Sequence, residues 1–183
     1  MTSIIKVNEI QDAGGNTILS SNGTGTFTTN FTTGKVLQVL SATKTDTFST
    51  ASTSYVDVTD LSISITPAST SNKILIMFYG QGSTSSTDTG QIRLDRSGTD
   101  IFIGDASGNR QQCTVSLTQG EGSKMRNVSF NYLDSPSTTS ATTYKIQLRA
   151  NSGTAYLGRT LVDGDATGYP RTPCEFIAME ISG

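Results

Sequence analysis

The side chains of this chain that could do chemistry are sparse carboxylates and two cysteines. Asp163 and Asp165 stand at alternate positions of the stretch 163–168, and Gly168 is its sixth residue, as in a calcium-binding loop. The twelfth position, where a bidentate Glu should complete the ligand shell, is Cys174. The stretch is therefore predicted to be a surface turn, and no metal site is expected.

Catalytic chemistry is disfavoured more generally, because the 183 residues include no histidine. Histidine is the commonest general base and the commonest metal ligand. No spacing pairs two carboxylates as a glycosidase requires, so a carbohydrate-acting enzyme is the weaker alternative. We expect no catalytic residue, no cofactor and no enzymatic activity. Cys113 and Cys174 are expected to be reduced core thiols, since no signal peptide opens the chain.

One loop near the carboxyl end carries side chains suited to binding. Tyr169 and Arg171 stand in the segment 169–173, which Pro170 and Pro173 make rigid. An aromatic ring and an arginine in a rigid loop can stack on a sugar or contact a protein partner. The alternative is a stiff loop that only steers the chain into its last strand.

The composition indicates which elements must position these side chains. Ser (24) and Thr (30) together outnumber the 13 basic and 15 acidic residues. Threonine suits the pleated surface of a sheet, whereas serine and glycine suit turns, so the chain is predicted to be all-β. The net charge of −2 and the lack of basic clusters argue against nucleic acid as a partner. No apolar run approaches the roughly 20 residues of a spanning helix, so no membrane insertion is expected.

Residues 1–34 are predicted to form an extended amino-terminal segment rather than a domain. Apolar residues alternate with turn residues there, and a short hairpin is only marginally stable alone. Ile4, Ile5, Val7 and Ile10 are the candidate docking and trimerisation residues, because they need a partner surface to be buried. The alternative is a flexible tail.

Residues 35–183 are predicted to form an antiparallel β-sandwich head, with a jelly roll as the first choice. Short strands with period-2 alternation recur about every ten residues, and no helical periodicity is present. The run 73–79 is apolar on both faces, which favours a central strand covered on both sides. In the last strand the charge of Glu180 predicts that Ile177, Met179 and Ile181 point inward and that Phe176 points outward.

Two blocks of sequence resemble known virion proteins. Residues 3–16 (SIIKVNEIQDAGGN) are similar to the amino ends of fibre and projection proteins of tailed bacteriophages of aquatic bacteria, especially cyanobacteria. Residues 34–39 (GKVLQV), 43–50, 54–58, 133–136 and 143–144 resemble a β-sandwich module that many such proteins carry.

The resemblance implies a virion protein that forms a homotrimer. Its amino-terminal segment would attach to other virion proteins, and its head would be exposed for host attachment through a surface glycan or protein. A tail fibre or tail-tip projection is the first expectation. A capsid decoration or head-fibre protein is the alternative.

Overall fold

The computed structural model describes residues 8–24, 27–29, 34–85, 89–118 and 122–183. No helix in this part of the chain is long and apolar enough to span a membrane. The β-strands of the described residues are β1 (Glu9–Gln11), β2 (Thr17–Ser21), β3 (Phe27–Thr29), β4 (Val36–Lys44), β5 (Phe48–Thr50), β6 (Val56–Ile65), β7 (Lys73–Thr84), β8 (Gly90–Arg96), β9 (Thr99–Ile101), β10 (Val115–Leu117), β11 (Arg126–Asp134), β12 (Thr142–Ala150), β13 (Ala155–Leu157) and β14 (Cys174–Ile181).

The head consists of two antiparallel sheets that pack as a sandwich. One sheet runs β4–β14–β7–β11, with the short β13 and β5 beside the end of β7. The other runs β10–β8–β12–β6, with β9 beside β8. Eight strands remain when only the long strands and β10 are counted. The first of them, β4, lies next to the last, β14, and each sheet takes strands from both halves of the chain. This is the eight-strand jelly-roll order, and it confirms the predicted fold class.

The core lies between the two large sheets and is built from alternate residues of their strands. Alternation places every second side chain on the inward face. The fully enclosed side chains include Leu61, Ile65, Ile74, Ile76, Phe78, Ile92, Leu94, Leu117, Ile146 and Phe176.

A polar contact inside the sandwich ties the two sheets together. Asp134, at the end of β11, is 2% exposed. Its Oδ1 accepts a hydrogen bond from Arg96 Nη1 at 2.7 Å, and its Oδ2 accepts one from the Tyr144 hydroxyl at 2.6 Å. Arg96 and Tyr144 belong to the opposite sheet. Burial and the neighbouring Asp134 raise the pKa of Tyr144, so its hydroxyl remains a donor.

The amino-terminal strands β1, β2 and β3 form a separate three-stranded antiparallel sheet. The turn between β1 and β2 is held by Asp12, whose Oδ1 accepts hydrogen bonds from the backbone N–H groups of Gly14 (2.8 Å) and Asn16 (2.9 Å). Gly15 has φ of +81°, which suits glycine. The described part thus contains the expected strands and turns, and the domain boundary at 34/35 stays a prediction.

The two cysteines are free thiols, as expected. Cys174 is 2% exposed and belongs to the core, whereas Cys113 is only half-buried, so the expectation of a core position is right for Cys174 alone.

The prediction for the last strand is wrong about its facing. Phe176 and Ala178 are fully buried and Glu180 is 1% exposed, whereas Ile177 and Met179 lie on the partly exposed outer face. Hydrogen-bond donors inside the sandwich satisfy the carboxylate, so its charge does not force it outward. The prediction that β14 lies beside an early strand is confirmed, since it pairs with β4 as well as β7.

The prediction that the run 73–79 is covered on both faces is also wrong. β7 is central in its sheet, and Ile74, Ile76 and Phe78 are fully buried. Leu75 and Met77 are only partly buried, and Tyr79 is 42% exposed. The outer face is apolar, but no element of the described chain covers it.

The observed facing of β14 predicts the relative cost of two substitutions. Phe176→Ala should lower the free energy of unfolding by about 3 to 5 kcal/mol, because it leaves a core cavity. Ile177→Ala should cost about 1 kcal/mol, because the side chain is partly in water already. Denaturant unfolding at low protein concentration, which minimises contacts between copies, measures both values. A larger loss for Ile177→Ala would contradict the assigned facing.

Candidate functional site

The outer face of the β4–β14–β7–β11 sheet carries an apolar row that crosses all four strands. Strand register places Leu133 opposite Leu75, Leu75 opposite Met179, and Met179 opposite Val39. Val39 is 53% exposed and Leu133 is 49% exposed. We call these four residues the apolar row.

Further apolar side chains lie on both sides of the apolar row. Met77 pairs with Ile177 in the neighbouring register position, and Ile181 pairs with Val36 at the other side. Val36 is 54% exposed, and it opens the first strand after Gly34. A contiguous apolar surface of partly and fully exposed side chains such as this one marks interaction sites on soluble proteins.

Among the described residues, the charged ones on this face stand only at its two ends. Lys73 pairs with Ile181 at one end, and Glu175 pairs with Tyr79 at the other. Beside Glu175 lies a cavity of about 520 Å³, whose wall includes Tyr79, Gln81 and Asn127. An apolar centre with a polar margin is the usual anatomy of a protein interface.

Glu180 points inward together with Phe176 and Ala178, so the alternate residues of β14 point outward. Its carboxylate accepts hydrogen bonds from Gln38 Nε2 (2.6 Å), the Ala68 backbone N–H (2.6 Å) and Asn72 Nδ2. Burial by itself would raise the pKa of Glu180. The hydrogen bonds outweigh burial and hold the pKa below its ordinary value of 4.5.

The outer face of the other sheet is polar instead. Asp57 accepts hydrogen bonds from Lys145 Nζ and Gln147 Nε2, both at 2.7 Å. Gln147 Oε1 in turn accepts one from Arg93 Nε at 3.0 Å. The two outer faces of the sandwich therefore differ in chemistry, and only one of them is suited to apolar contacts.

The structure brings Tyr169 and Arg171 together around one loop cavity of about 630 Å³. The half-buried Tyr169 ring packs so closely on Gly164 that a Cβ there would meet it at 2.9 Å. Arg171 donates hydrogen bonds to both oxygens of Asp163, from Nε at 3.1 Å and from Nη2 at 2.7 Å. The loop holds itself together through these contacts, and its role in binding a receptor or partner stays a prediction.

Among the predicted docking residues, only Ile10 can be placed. It lies in β1 and is 46% exposed, so it has an apolar side chain without cover in the described chain. Ile4, Ile5 and Val7 lie outside the described residues, so their docking and trimerisation roles remain predictions.

The sequence interpretation missed the apolar row. Its signal was present, since the segment 73–79 is apolar on both faces and Ile177, Met179 and Ile181 form an apolar face of the last strand. A strand that is apolar on both faces can be covered on both sides, or it can leave one apolar face uncovered. Only the register of four strands shows that the outer residues form one surface.

No protein-family model and no curated protein matches the chain. Three solved structures from infectious bursal disease virus are similar to it at low identity. The Gx strain structure is 17% identical, with a TM-score of 0.38, over 87% of this chain and 42% of that chain. A mutant VP2 protein from derived T=1 particles is 15% identical, with a TM-score of 0.41, over 89% of this chain and 40% of that chain. A structure of the T=1 particles at 2.6 Å is 14% identical, with a TM-score of 0.42, also over 89% of this chain and 40% of that chain.

The chain thus spans about two fifths of the length of these three proteins. The jelly-roll assignment given above rests on the strand order of this chain itself.

The lowered pKa of Glu180 predicts a specific loss of stability in acid. A carboxylate with a folded-state pKa below its unfolded value stabilises the fold above the unfolded value, and this contribution is lost as pH falls through the folded value. Wild type should therefore lose more unfolding free energy than Glu180→Gln as pH falls below about 4.5. Denaturant unfolding at several pH values measures the unfolding free energy of both proteins. The contributions of the other carboxylates are the same in both, so they cancel in the difference between wild type and Glu180→Gln. Parallel curves for the two proteins would contradict this role.

The ion pair at Asp163 predicts that the calcium-like loop binds no calcium. Arg171 occupies both carboxylate oxygens, and Arg159 Nη1 lies 3.6 Å from Oδ2. The hydrogen bond from Arg171 also lowers the pKa of Asp163. Calorimetric titration with calcium should show no binding below the millimolar range. Tight binding with a large rise in melting temperature would contradict this assignment.

Proposed function

We propose that the chain is a structural protein of a bacteriophage particle that assembles as a homotrimer. The observation that carries the proposal is the apolar row, which has no cover in the described chain. The resemblance of residues 3–16 and of the head segments to phage fibre and projection proteins supports the same function.

The trimer buries the apolar row when the three sheets turn their outer faces toward a common axis. Apolar area removed from water contributes roughly 25 cal/mol per Å², and stable interfaces bury about 800 Å² per partner. The face offers the side chains for this contact, and its charged residues, Lys73 and Glu175, stand at its margins. Closed rotational symmetry also prevents the exposed face from joining copies into an open filament.

The position of the face fits an arrangement with a stalk and a head. Val36, at the edge of the face, follows Gly34 and Lys35, whose backbone N–H groups donate hydrogen bonds to Ser182 at the end of the chain. The chain therefore enters the head beside the apolar face. Three amino-terminal segments that start from this point lie close together, where they can bury Ile4, Ile5, Val7 and Ile10 against each other and against other virion proteins.

In this proposal the protein is a tail fibre or tail-tip projection, and its head contacts a glycan or protein of the host surface. The loop of Tyr169 and Arg171 is the candidate contact from the sequence. The alternative is a capsid decoration or head-fibre protein. The same apolar face supports the alternative, because it could pack against a shell instead of against other copies.

The proposal predicts a trimer that one exposed substitution weakens. Light scattering should give the full chain about three times its 19.3 kDa mass. Val39→Asp should weaken association by about 100-fold, since each interface would bury an unpaired carboxylate. The fold of the monomer should be unchanged, because Val39 is 53% exposed.

Val162→Asp is the matched control, because Val162 is a similarly exposed valine (48%) outside the large sheets. It should leave the mass unchanged. A stable monomer of the full chain would refute the trimer, and a trimer unaffected by Val39→Asp would refute the apolar row as its interface. Removal of residues 1–33 tests the role of the amino-terminal segment separately. If the trimer is retained, its interface belongs to the head, and only the docking role of the segment remains. Antibody labelling of intact particles would distinguish tail from capsid.

A further inference from the structure

A buried arginine on the polar face of the sandwich borders a cavity. Arg149, near the end of β12, is 7% exposed. Its Nε donates a hydrogen bond to the Thr53 carbonyl at 2.7 Å, and its Nη1 donates one to Gln91 Oε1 at 3.0 Å. Gln91 is its register partner on β8. The side chain is therefore held in one direction by two neutral acceptors.

The charge of Arg149 lacks a counter-charge in the part of the chain that the structure describes. No Asp or Glu of those residues lies within ion-pair distance of it, whereas buried Lys44 pairs with Asp46 (2.8 Å) and Asp60 (3.3 Å). A buried charge is costly unless it is paired, and neutral acceptors offset only part of the cost. An anion at this position would supply the missing charge.

The cavity beside Arg149 is large enough for more than a single ion. Its volume is about 570 Å³, within the usual range for ligand sites. Arg110 contributes a second positive charge, and its Nη1 donates a hydrogen bond to Ser107 Oγ at 2.8 Å. None of the described residues that line the cavity is acidic, and the remaining ones are mainly amides and hydroxyls, such as Asn109 and Asn151.

We propose that this pocket binds a carboxylate-bearing sugar of an acidic polysaccharide. Guanidinium groups match a carboxylate through parallel hydrogen bonds, and amide and hydroxyl groups match the hydroxyls of a sugar ring. The net charge of −2 and the presence of only two lining arginines do not suit the repeated phosphates of a nucleic acid. The inference rests on the proposed function in one respect, since attachment to a host requires a surface ligand.

The pocket lies away from the apolar row, so assembly and ligand binding use different sheets. Arg149 and Gln91 belong to the β10–β8–β12–β6 sheet, and the apolar row belongs to the other sheet. A trimer that buries the apolar row therefore leaves this pocket open. Failure of one proposal does not imply failure of the other.

Calorimetric titration of the full chain with galacturonate oligomers tests the pocket. The uronate oligomer should bind at least tenfold more tightly than a neutral galactose oligomer of the same length. Arg110→Gln should weaken uronate binding about tenfold, and Arg149→Gln should weaken it further. Arg126→Gln, an exposed arginine on the other sheet, is the control and should leave binding unchanged.

Melting temperatures establish whether the variants are folded. If Arg149→Gln does not fold, Arg110→Gln still tests the pocket. Equal binding of the uronate and neutral oligomers, or full binding by folded Arg110→Gln, would overturn the proposal. Tighter binding of a sulfated galactose oligomer would overturn the carboxylate class, and equal binding of acetate would reduce the site to a simple anion site and overturn the sugar.

Cys113 provides a second readout, because it lines the same cavity. Cys174 is 2% exposed, so a thiol reagent added to the folded protein should modify Cys113 alone. Burial raises the pKa of the Cys113 thiol, although Arg149 lowers it to a smaller degree, so the reaction is best followed above pH 8. Bound uronate should slow the modification at least fivefold. Unchanged rates at saturating uronate would place the ligand elsewhere and overturn the proposal.

Discussion

The burial of Glu180 is the constraint on which the arrangement of the head depends. A carboxylate inside a sandwich is costly unless donors surround it, and Gln38, Asn72 and the backbone N–H of Ala68 supply them. Side chains alternate along a strand, so the inward direction of Glu180 also places Phe176 in the core. The same alternation places the remaining apolar residues of β14 on the outer face. A single polar cluster thus allows the side of the last strand that carries Glu180 to be the core side.

The outer faces of the two sheets differ as a consequence. One face carries the apolar row across four strands, whereas the other carries a hydrogen-bonded ladder in which Asp57 binds Lys145 and Gln147. Apolar surface favours association with other protein surfaces, and a polar surface with concave sites favours small polar ligands. In the proposed trimer this separation keeps assembly and ligand binding on different surfaces, so either surface can change without disturbing the other.

The charged groups inside the fold also separate structural from functional positions. Lys44 is neutralised by Asp46 and Asp60, and Asp134 by Arg96, so these groups complete their own contacts. Arg149 and Glu180 both have only neutral partners among the described residues, but Arg149 also borders a cavity. A buried charge that has neutral partners and also borders a cavity is expected where a ligand supplies the counter-charge. This difference, rather than exposure or sequence motif, distinguishes the proposed pocket from the self-contained loop of Arg171.

The sequence by itself determined the class of the fold. Period-2 alternation and the abundance of Thr and Ser predicted an all-β sandwich, and the short apolar runs located the strands, including a central β7 and a β14 beside an early strand. Only the tertiary structure decided the facing of Glu180, because the donors that satisfy it come from positions up to 142 residues away. The same holds for the apolar row and for Arg149, since strand register and the lack of an acid near Arg149 among the described residues arise from long-range pairing that local periodicity does not encode.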